Sequence, residues 1–278
     1  MDKVSLPDYA VIDLSHIAPH ITGVNILMVN VYAVSSPDGG WSLIDAGVPV
    51  SAGFIRRFAE KRFGADVPPQ NIIITHGHFD HAGSLAELAD YWQVPVYAHP
   101  DEFPYLTGRL AYPPPDTSVG GGLMTALAPL YPRGPIDVSA HLQALPPDGS
   151  VPGLASWKWI HTPGHTPGHI SLYREVDGAL IVGDAFCTTK PESFIDSIAT
   201  GKAELHGPPA HMTSDWQAVR KSIETLAALR PSVVAPGHGY PMVGPEVADA
   251  LEYMSVNFDR VVLPESHRSG TGAKATTN

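Results

Sequence analysis

The sequence predicts an α/β protein, and three observations carry that expectation. Short apolar runs of strand type alternate with amphipathic segments of helix length. This alternation occurs twice, on either side of a Pro/Gly-rich stretch at about 100–150, and histidine-bearing loops follow several of the strands. At 278 residues with 44% hydrophobic content, the chain can bury an ordinary core, as one large domain or two small ones.

The first half opens with strand patterns at about 10–14, 24–34 and 41–45, followed by an amphipathic stretch from Ser51 to Phe63. Asn71 to Thr75 (NIIIT) reads as a short buried strand. Leu85, Leu88, Ala89 and Trp92 stand at helical spacing within Ala82 to Trp92, and Val94 to Ala98 returns to strand. Prolines crowd residues 100–150, and Gly120, Gly121 and Gly122 are consecutive, so this stretch reads as an insertion over the core. Its Leu106, Leu110, Tyr112, Leu123, Met124, Leu127, Leu130 and Tyr131 need burial, which a lid or a homodimer contact would provide.

The second half repeats the alternation. Strands are expected at 157–161, 169–174, 179–183 and 232–235, with helices from Asp215 to Leu229 and near 245–260. Residues 266–278 are small and polar, the composition of a disordered tail.

A net charge of −11 with 16% charged residues leaves no basic surface for nucleic acid and no tether to an anionic membrane. The longest apolar candidate, Val24 to Val34, is interrupted by Asn25 and Asn30 and falls short of the roughly 20 residues of a membrane helix. The single cysteine, Cys187, excludes an internal disulfide and reads as a small buried hydrophobe. The N-terminus lacks the build of a signal peptide, so a cytoplasmic protein acting on a small molecule is the expectation.

Fourteen histidines beside one cysteine point toward metal. His76-Gly77-His78-Phe79-Asp80-His81 begins where the apolar strand 71–75 ends. His76 and His78 can present two neutral imidazoles to one ion, while Asp80 and His81 reach a neighbouring position, so one loop can seed two sites. The plainer alternative makes Asp80 a helix cap and the histidines solvated. Three further polar residues punctuate strand ends in the second half: His165 in TPGHTPGH, Asp184 in VGDA and His238 in PGHG.

The set H-x-H-x-D-H, TPGHT, GDA and PGHG, running from about Leu14 to Val243, strongly resembles the metallo-β-lactamase superfamily. The resemblance implies a four-layered αββα sandwich, hence one domain over 1–265 that carries the insertion. It also implies His76, His78 and His165 on one ion, Asp80, His81 and His238 on a second, and Asp184 between them. Two zinc ions, with iron or manganese as alternatives, would then activate a bridging hydroxide against an ester, lactone or thioester carbonyl. Asp80 is the expected catalytic proton carrier. In the resembled family the segment equivalent to Asp45 lies beneath the metal loop, so Asp45 is expected either to orient an imidazole from behind or to serve as a plain turn residue.

Within the superfamily, diiron oxygen reductases use H-x-E-x-D where this chain has His78, and true β-lactamases lack the aspartate that Asp184 supplies. An acyl-homoserine lactone lactonase and an iron-dependent persulfide dioxygenase remain as alternatives to a general lactonase or thioesterase. Tyr105, Tyr112, Tyr131 and Phe186 are candidates to line the substrate pocket, whereas His16, His20, His99, His141, His161, His206, His211 and His267 match no motif position and read as surface or cap residues.

TPGHTPGH is one phrase written twice, but its prolines and glycines forbid a helix, and each copy reads as a β-turn. Extended, four residues would separate His165 from His169 by roughly 13 Å. The repeat therefore does not imply two ligands on one ion; the resemblance places His165 at the family's ligand position, and His169, at the start of the next strand, is expected to hydrogen-bond behind the site.

Overall fold

In the computed structural model, which describes residues 11–119, 123–134, 136–190 and 203–268, the strands form two sheets. The first holds seven strands in chain order: β1 (Val11–Ala18), β2 (Ile21–Ile26), β3 (Val29–Ser35), β4 (Trp41–Ile44), β5 (Asn71–Ile73), β6 (Val96–Ala98) and β7 (Leu142–Ala144). It is antiparallel from β1 to β4 and parallel from β4 to β7. Parallel neighbours require crossovers. Helix α1 (Ala52–Phe63) joins β4 to β5, and the one-turn α2 (Phe79–Ala82) with α3 (Leu85–Trp92) joins β5 to β6. Between β6 and β7 lie α4 (Phe103–Leu106) and α5 (Leu123–Leu127).

The second sheet holds β8 (Lys158–His161), β9 (Ile170–Arg174), β10 (Ala179–Gly183), β11 (Val233–Pro236) and β12 (Met242–Val243), again neighbouring in chain order. Only β10 and β11 run parallel. Their crossover contains α6 (Trp216–Ala228), whose start is capped by the Asp215 carboxylate accepting from the Gln217 and Ala218 N–H groups. Helices α7 (Glu246–Val256) and α8 (Phe258–Val261) follow.

The two-residue period of the strands determines how these pieces stack. Leu43 and Ile72 face a core shared with α1 and α3, whereas their neighbours Ile44 and Ile73 face the space between the sheets. Ile181 and Val233 enter that same middle core from the second sheet, while Leu180 and Val234 face outward onto α6 and α7. Three cores therefore separate four layers, helix–sheet–sheet–helix. Each fully buried Ile or Leu contributes roughly 1.5–3 kcal/mol to holding a layer in place.

Some expectations shift. The run 24–34 contains the end of one strand, a tight turn at Leu27 with positive φ, and a second strand. The helix expected from Ala82 to Trp92 is split, with Gly83 and Ser84 between α2 and α3. In the insertion Leu106 and Tyr112 are buried, but Leu110, Leu127 and Leu130 are exposed, so packing onto the core accounts for part of the apolar set only. Residues 120–122 and the side chains of Leu123 and Met124 lie outside those described, as do 269–278 of the expected tail; Glu265–His267 forms a 3-10 turn. Among the described residues no helix is long and apolar enough to cross a membrane.

Candidate metal centre

The chain leaves β5 through Ile74 and Thr75 and turns sharply across the sheet edge, which brings His76, His78, Asp80 and His81 into one buried pocket. His76 and His81 are completely buried, and Asp80 and His78 nearly so. A solvated loop with Asp80 as a cap does not fit this burial, and the short helix here starts without a side-chain cap.

From the second half, His165, Asp184 and His238 converge on the same point from three separate loops. Asp184 Oδ1 lies 3.3 Å from His81 Nε2, and its Oδ2 lies 3.4 Å from His165 Nε2 and 3.2 Å from His238 Nε2. Asp80 Oδ2 is 3.3 Å from His238 Nε2. The donor atoms fall into three sets, His76–His78–His165, His76–His81–Asp184 and Asp80–His81–His238, each within 4.8 Å internally. Gly237 packs so closely beneath Asp184 Oδ1 that a Cβ there would collide with it.

The outer nitrogens decide which atoms face inward. His81 Nδ1–H donates to Asp45 Oδ2 at 2.8 Å, and His238 Nδ1–H to the Met28 carbonyl at 2.8 Å. Thr213 donates its hydroxyl to the Pro209 carbonyl and so accepts from His165 Nδ1–H at 3.0 Å. Thr75 donates to Asp45 and so accepts from His76 Nδ1–H at 3.1 Å. In all four rings Nε2 is the nitrogen left pointing inward. His78 uses Nδ1 instead, 2.9 Å from His165 Nε2. His76 Nε2, His81 Nε2 and Asp184 Oδ1 are buried without a hydrogen-bond partner, an arrangement that is costly unless a cation completes it. Neutral imidazoles and carboxylates are a donor set that suits zinc or iron.

The electrostatics divide the rings into two kinds. Burial, reinforced by neighbouring imidazoles, holds His76 well below the usual imidazole range and His78 at about 4, and His165 is likewise well below. For His81 burial acts in the same direction, but Asp184, Asp45 and Asp80 outweigh it and raise the ring well above that range. Burial is outweighed again at His238, which Asp184 and Asp80 raise to about 10. Burial of Asp80 and Asp184 is offset by His81 and His238, and both carboxyls lie below the usual value. This half of the pocket attracts positive charge, so a metal ion entering it displaces protons.

Asp45 and His169 lie behind the pocket. Asp45 holds a positive φ of 64°, uncommon for a non-glycine residue, and in that conformation its carboxylate reaches His81, the Thr75 hydroxyl and the Thr75 N–H together. His169 accepts from the Asp184 N–H through Nε2 at 2.9 Å, and its Nδ1 meets Thr162 Oγ1 at 2.9 Å. With both nitrogens engaged it has none left for a metal, although the folded loop brings its ring 6.3 Å from that of His165, far closer than an extended chain would.

The pocket-lining candidates separate. Tyr131 packs beside Phe79 at the pocket, in the field of Asp80. Tyr112 is buried against the His78 ring with its hydroxyl held by Glu102 and the Gly77 N–H, and Tyr105 stacks on its outer face at 3.9 Å. Both prop the metal loop from outside the pocket. Phe186 is a correction: the turn after Asp184 directs it into the core with α6 and α7, completely buried.

His211 is also corrected. It is buried within a 3-10 turn near Tyr131, feels Asp80, His238 and Asp184, and is held below the usual imidazole range mainly by burial. His99, Asp101 and His161 form a further group at the surface. The two rings stack in parallel at 4.1 Å, so their in-plane lone pairs do not converge on one ion, and His99 instead caps the turn at Pro100–Glu102.

Sequence reasoning missed several supports. Asn30 donates its side-chain amide to the Pro236 and Gly239 carbonyls, and Tyr32 donates to Pro236, so the first sheet pins the loop that carries His238. Glu102, completely buried, binds both histidine loops. The only signal from Asn30 was a polar group inside an apolar strand pattern, and Glu102, in the polar turn HPDE, gave none.

Comparisons with known proteins show the family. The family model described as "Metallo-beta-lactamase superfamily" matches residues 24–238. A probable metallo-hydrolase of Bacillus subtilis (strain 168), YflN, is 48% identical over 229 residues, covering 82% of this chain and 86% of its own. The crystal structure of TTHA1623 in a di-iron-bound form is 25% identical with a TM-score of 0.52, covering 85% of this chain and 96% of that one. The BLEG-1 B3 metallo-beta-lactamase is 22% identical with a TM-score of 0.55 over 88% of this chain and 99% of its own, a likeness of fold. With four layers, one buried cluster of histidine and aspartate, and a family match spanning both halves, the chain belongs to the metallo-β-lactamase superfamily.

Proposed function

We propose that this chain is a dinuclear metal-dependent hydrolase of a neutral or apolar ester, lactone or thioester. The observation that carries the reading is the set of inward nitrogens: four imidazoles have their outer N–H bound to an oxygen, three of their inner nitrogens lie within 3.4 Å of Asp184, and the fourth, of His76, groups with His81 and Asp184. His76, His78 and His165 would hold one ion and Asp80, His81 and His238 the other, with Asp184 shared. Bound ions would supply Lewis acidity toward the carbonyl and a water acidic enough to act as nucleophile near neutral pH.

The remaining chemistry belongs to side chains. Asp80 is the more exposed of the two carboxylates. Its Oδ2 is suited to take the proton of the attacking water and pass it to the leaving oxygen or sulfur. Phe79 and Tyr131 offer apolar contact beside it, and the buried imidazole of His211 a polar one. No serine or cysteine nucleophile is needed, and buried Cys187 is not required.

A hydrolysis panel of lactones, thioesters, aryl esters, a cephalosporin and a phosphotriester tests the reading on zinc-loaded and iron-loaded protein. Turnover of at least one carbonyl ester class is expected, falling at least about 100-fold in Asp184→Ala, a larger loss than removal of a supporting hydrogen bond causes. Activity that survives that substitution, or that is confined to the phosphotriester, sinks the proposal. Metal analysis separates the alternatives: about two ions per chain supports the hydrolase, and a single iron supports the persulfide-dioxygenase chemistry.

A further inference from the structure

We infer that Glu102 is a positioning residue of the metal centre, a buried carboxylate clamp that sets the spacing between the two loops carrying His76, His78 and His165. The inference rests on the reading of this site as a metal centre.

Glu102 sits at the end of the turn that opens the insertion and is completely buried. Its Oε2 accepts from the Gly77 N–H at 2.8 Å and from the Tyr112 hydroxyl. Its Oε1 accepts from the Thr166 hydroxyl at 2.8 Å and from the Gly168 N–H at 2.8 Å. Gly77 lies between His76 and His78, Thr166 follows His165, and Gly168 precedes His169. One oxygen therefore holds the first-half loop and the other holds the second-half loop.

These loops are 85 or more residues apart in sequence, and the three histidines meet across them where His78 Nδ1 faces His165 Nε2 and where the His76 ring packs edge-on to that of His165 at 4.9 Å. A cation cannot hold two loops at the right separation unless they already lie close to it, and a rigid carboxylate between their backbones supplies that separation. The chain makes room for the clamp. A Cβ at Gly168 would stand 2.7 Å from the Glu102 backbone nitrogen, so only glycine admits so close an approach.

The charge state also matters. A carboxylate offers acceptor sites to four donors, two on each oxygen. A glutamine keeps one accepting oxygen and turns an NH2 toward the other pair. The Tyr112 or Thr166 hydroxyl can rotate away from it, but the Gly77 or Gly168 N–H cannot. Glu102→Gln therefore sets an N–H against the backbone N–H of one loop while barely changing the volume of the side chain.

The test compares wild type, Glu102→Gln, Tyr112→Phe and Thr166→Val as full-length proteins, with folding checked by circular dichroism. Zinc affinity is read by competition with a chromophoric chelator, and the geometry of the site by the visible spectrum of the cobalt(II)-substituted protein. Glu102→Gln is expected to weaken one of two ions by about 10–100-fold and to alter the cobalt bands. Tyr112→Phe, which leaves three donors and both backbone tethers in place, is expected to stay within about threefold of wild type.

A folded Glu102→Gln with two ions, unchanged affinity and an unchanged cobalt spectrum overturns the clamp. A Tyr112→Phe loss equal to that of Glu102→Gln overturns it too, since that hydroxyl touches one loop only. Should Glu102→Gln fail to fold, Thr166→Val decides: it removes one tether on the His165 side, and unchanged affinity and spectrum there overturn the inference. Wild-type protein that binds neither zinc nor cobalt sinks the metal reading itself, whereas two ions in wild type beside an unaffected Glu102→Gln sinks only the clamp.

Discussion

The two halves of the molecule supply the centre in different ways. The first half delivers His76, His78, Asp80 and His81 from one loop of six residues, steered by the end of β5 and the start of α2. The second half delivers His165, Asp184 and His238 from three loops, each held by a distant partner: Thr213 for His165, His169 for the Asp184 backbone, and Met28 with Asn30 for the His238 loop. A contiguous loop constrains its ligands by local backbone geometry. A dispersed set is only as precise as the long-range hydrogen bonds that gather it, so its supports matter as much as its ligands.

The sharpest contrast lies within TPGHTPGH. His165→Ala removes an inward nitrogen and should weaken one metal more than about 100-fold, beyond the range of a supporting residue. His169→Ala should keep both metals at full stoichiometry, while orphaning the buried Asp184 N–H at a cost of about 1–3 kcal/mol in unfolding free energy. Metal analysis and urea titration on the two proteins separate these outcomes. Equal metal loss from both would erase the division between ligand and support.

A second pair compares supports across the halves. Asp45→Asn removes the charge behind His81 and should cost about 10–100-fold in metal affinity, while Thr213→Val, behind His165, should fall at the low end of that range because it removes a neutral acceptor. If Thr213→Val proves the more damaging in a chelator titration, the contiguous loop depends on its support less than the dispersed set does.

The last expected effect is a pH dependence. Burial holds His169 at about 3, so the folded protein leaves it neutral where an unfolded chain, with a value near 6.5, takes up a proton. The neutral ring's contribution is present in full above about pH 6.5 and is lost as the pH falls from there toward about 3. Urea midpoints measured across that window should fall more steeply for wild type than for His169→Gln. Parallel slopes would mean that the ring is not buried neutral.

Much of the architecture was legible because strand and helix periods are local: Leu43–Ile44, Ile72–Ile73 and Leu180–Ile181 each announce a strand with two buried faces. Boundaries were less legible. The turn at Leu27 and the break at Gly83–Ser84 lie inside continuous apolar patterns, where tertiary contacts choose the chain reversal. The ligand motifs stood out as rare residue types at strand ends, but Phe186 and His211 were misplaced, because a side chain one residue either way on a turn faces a different layer.

The sequence by itself determined the alternation of elements, the acidic surface and the types of atom available to a metal, all of which follow from residue identity and short-range spacing. Only the tertiary structure decided which imidazole nitrogen faces inward, that Glu102 joins the two histidine loops, and which groups the two nitrogens of His169 meet. The physical reason is that hydrogen-bond direction and burial depend on partners dozens to hundreds of residues away, and no local pattern in the chain encodes where those partners arrive.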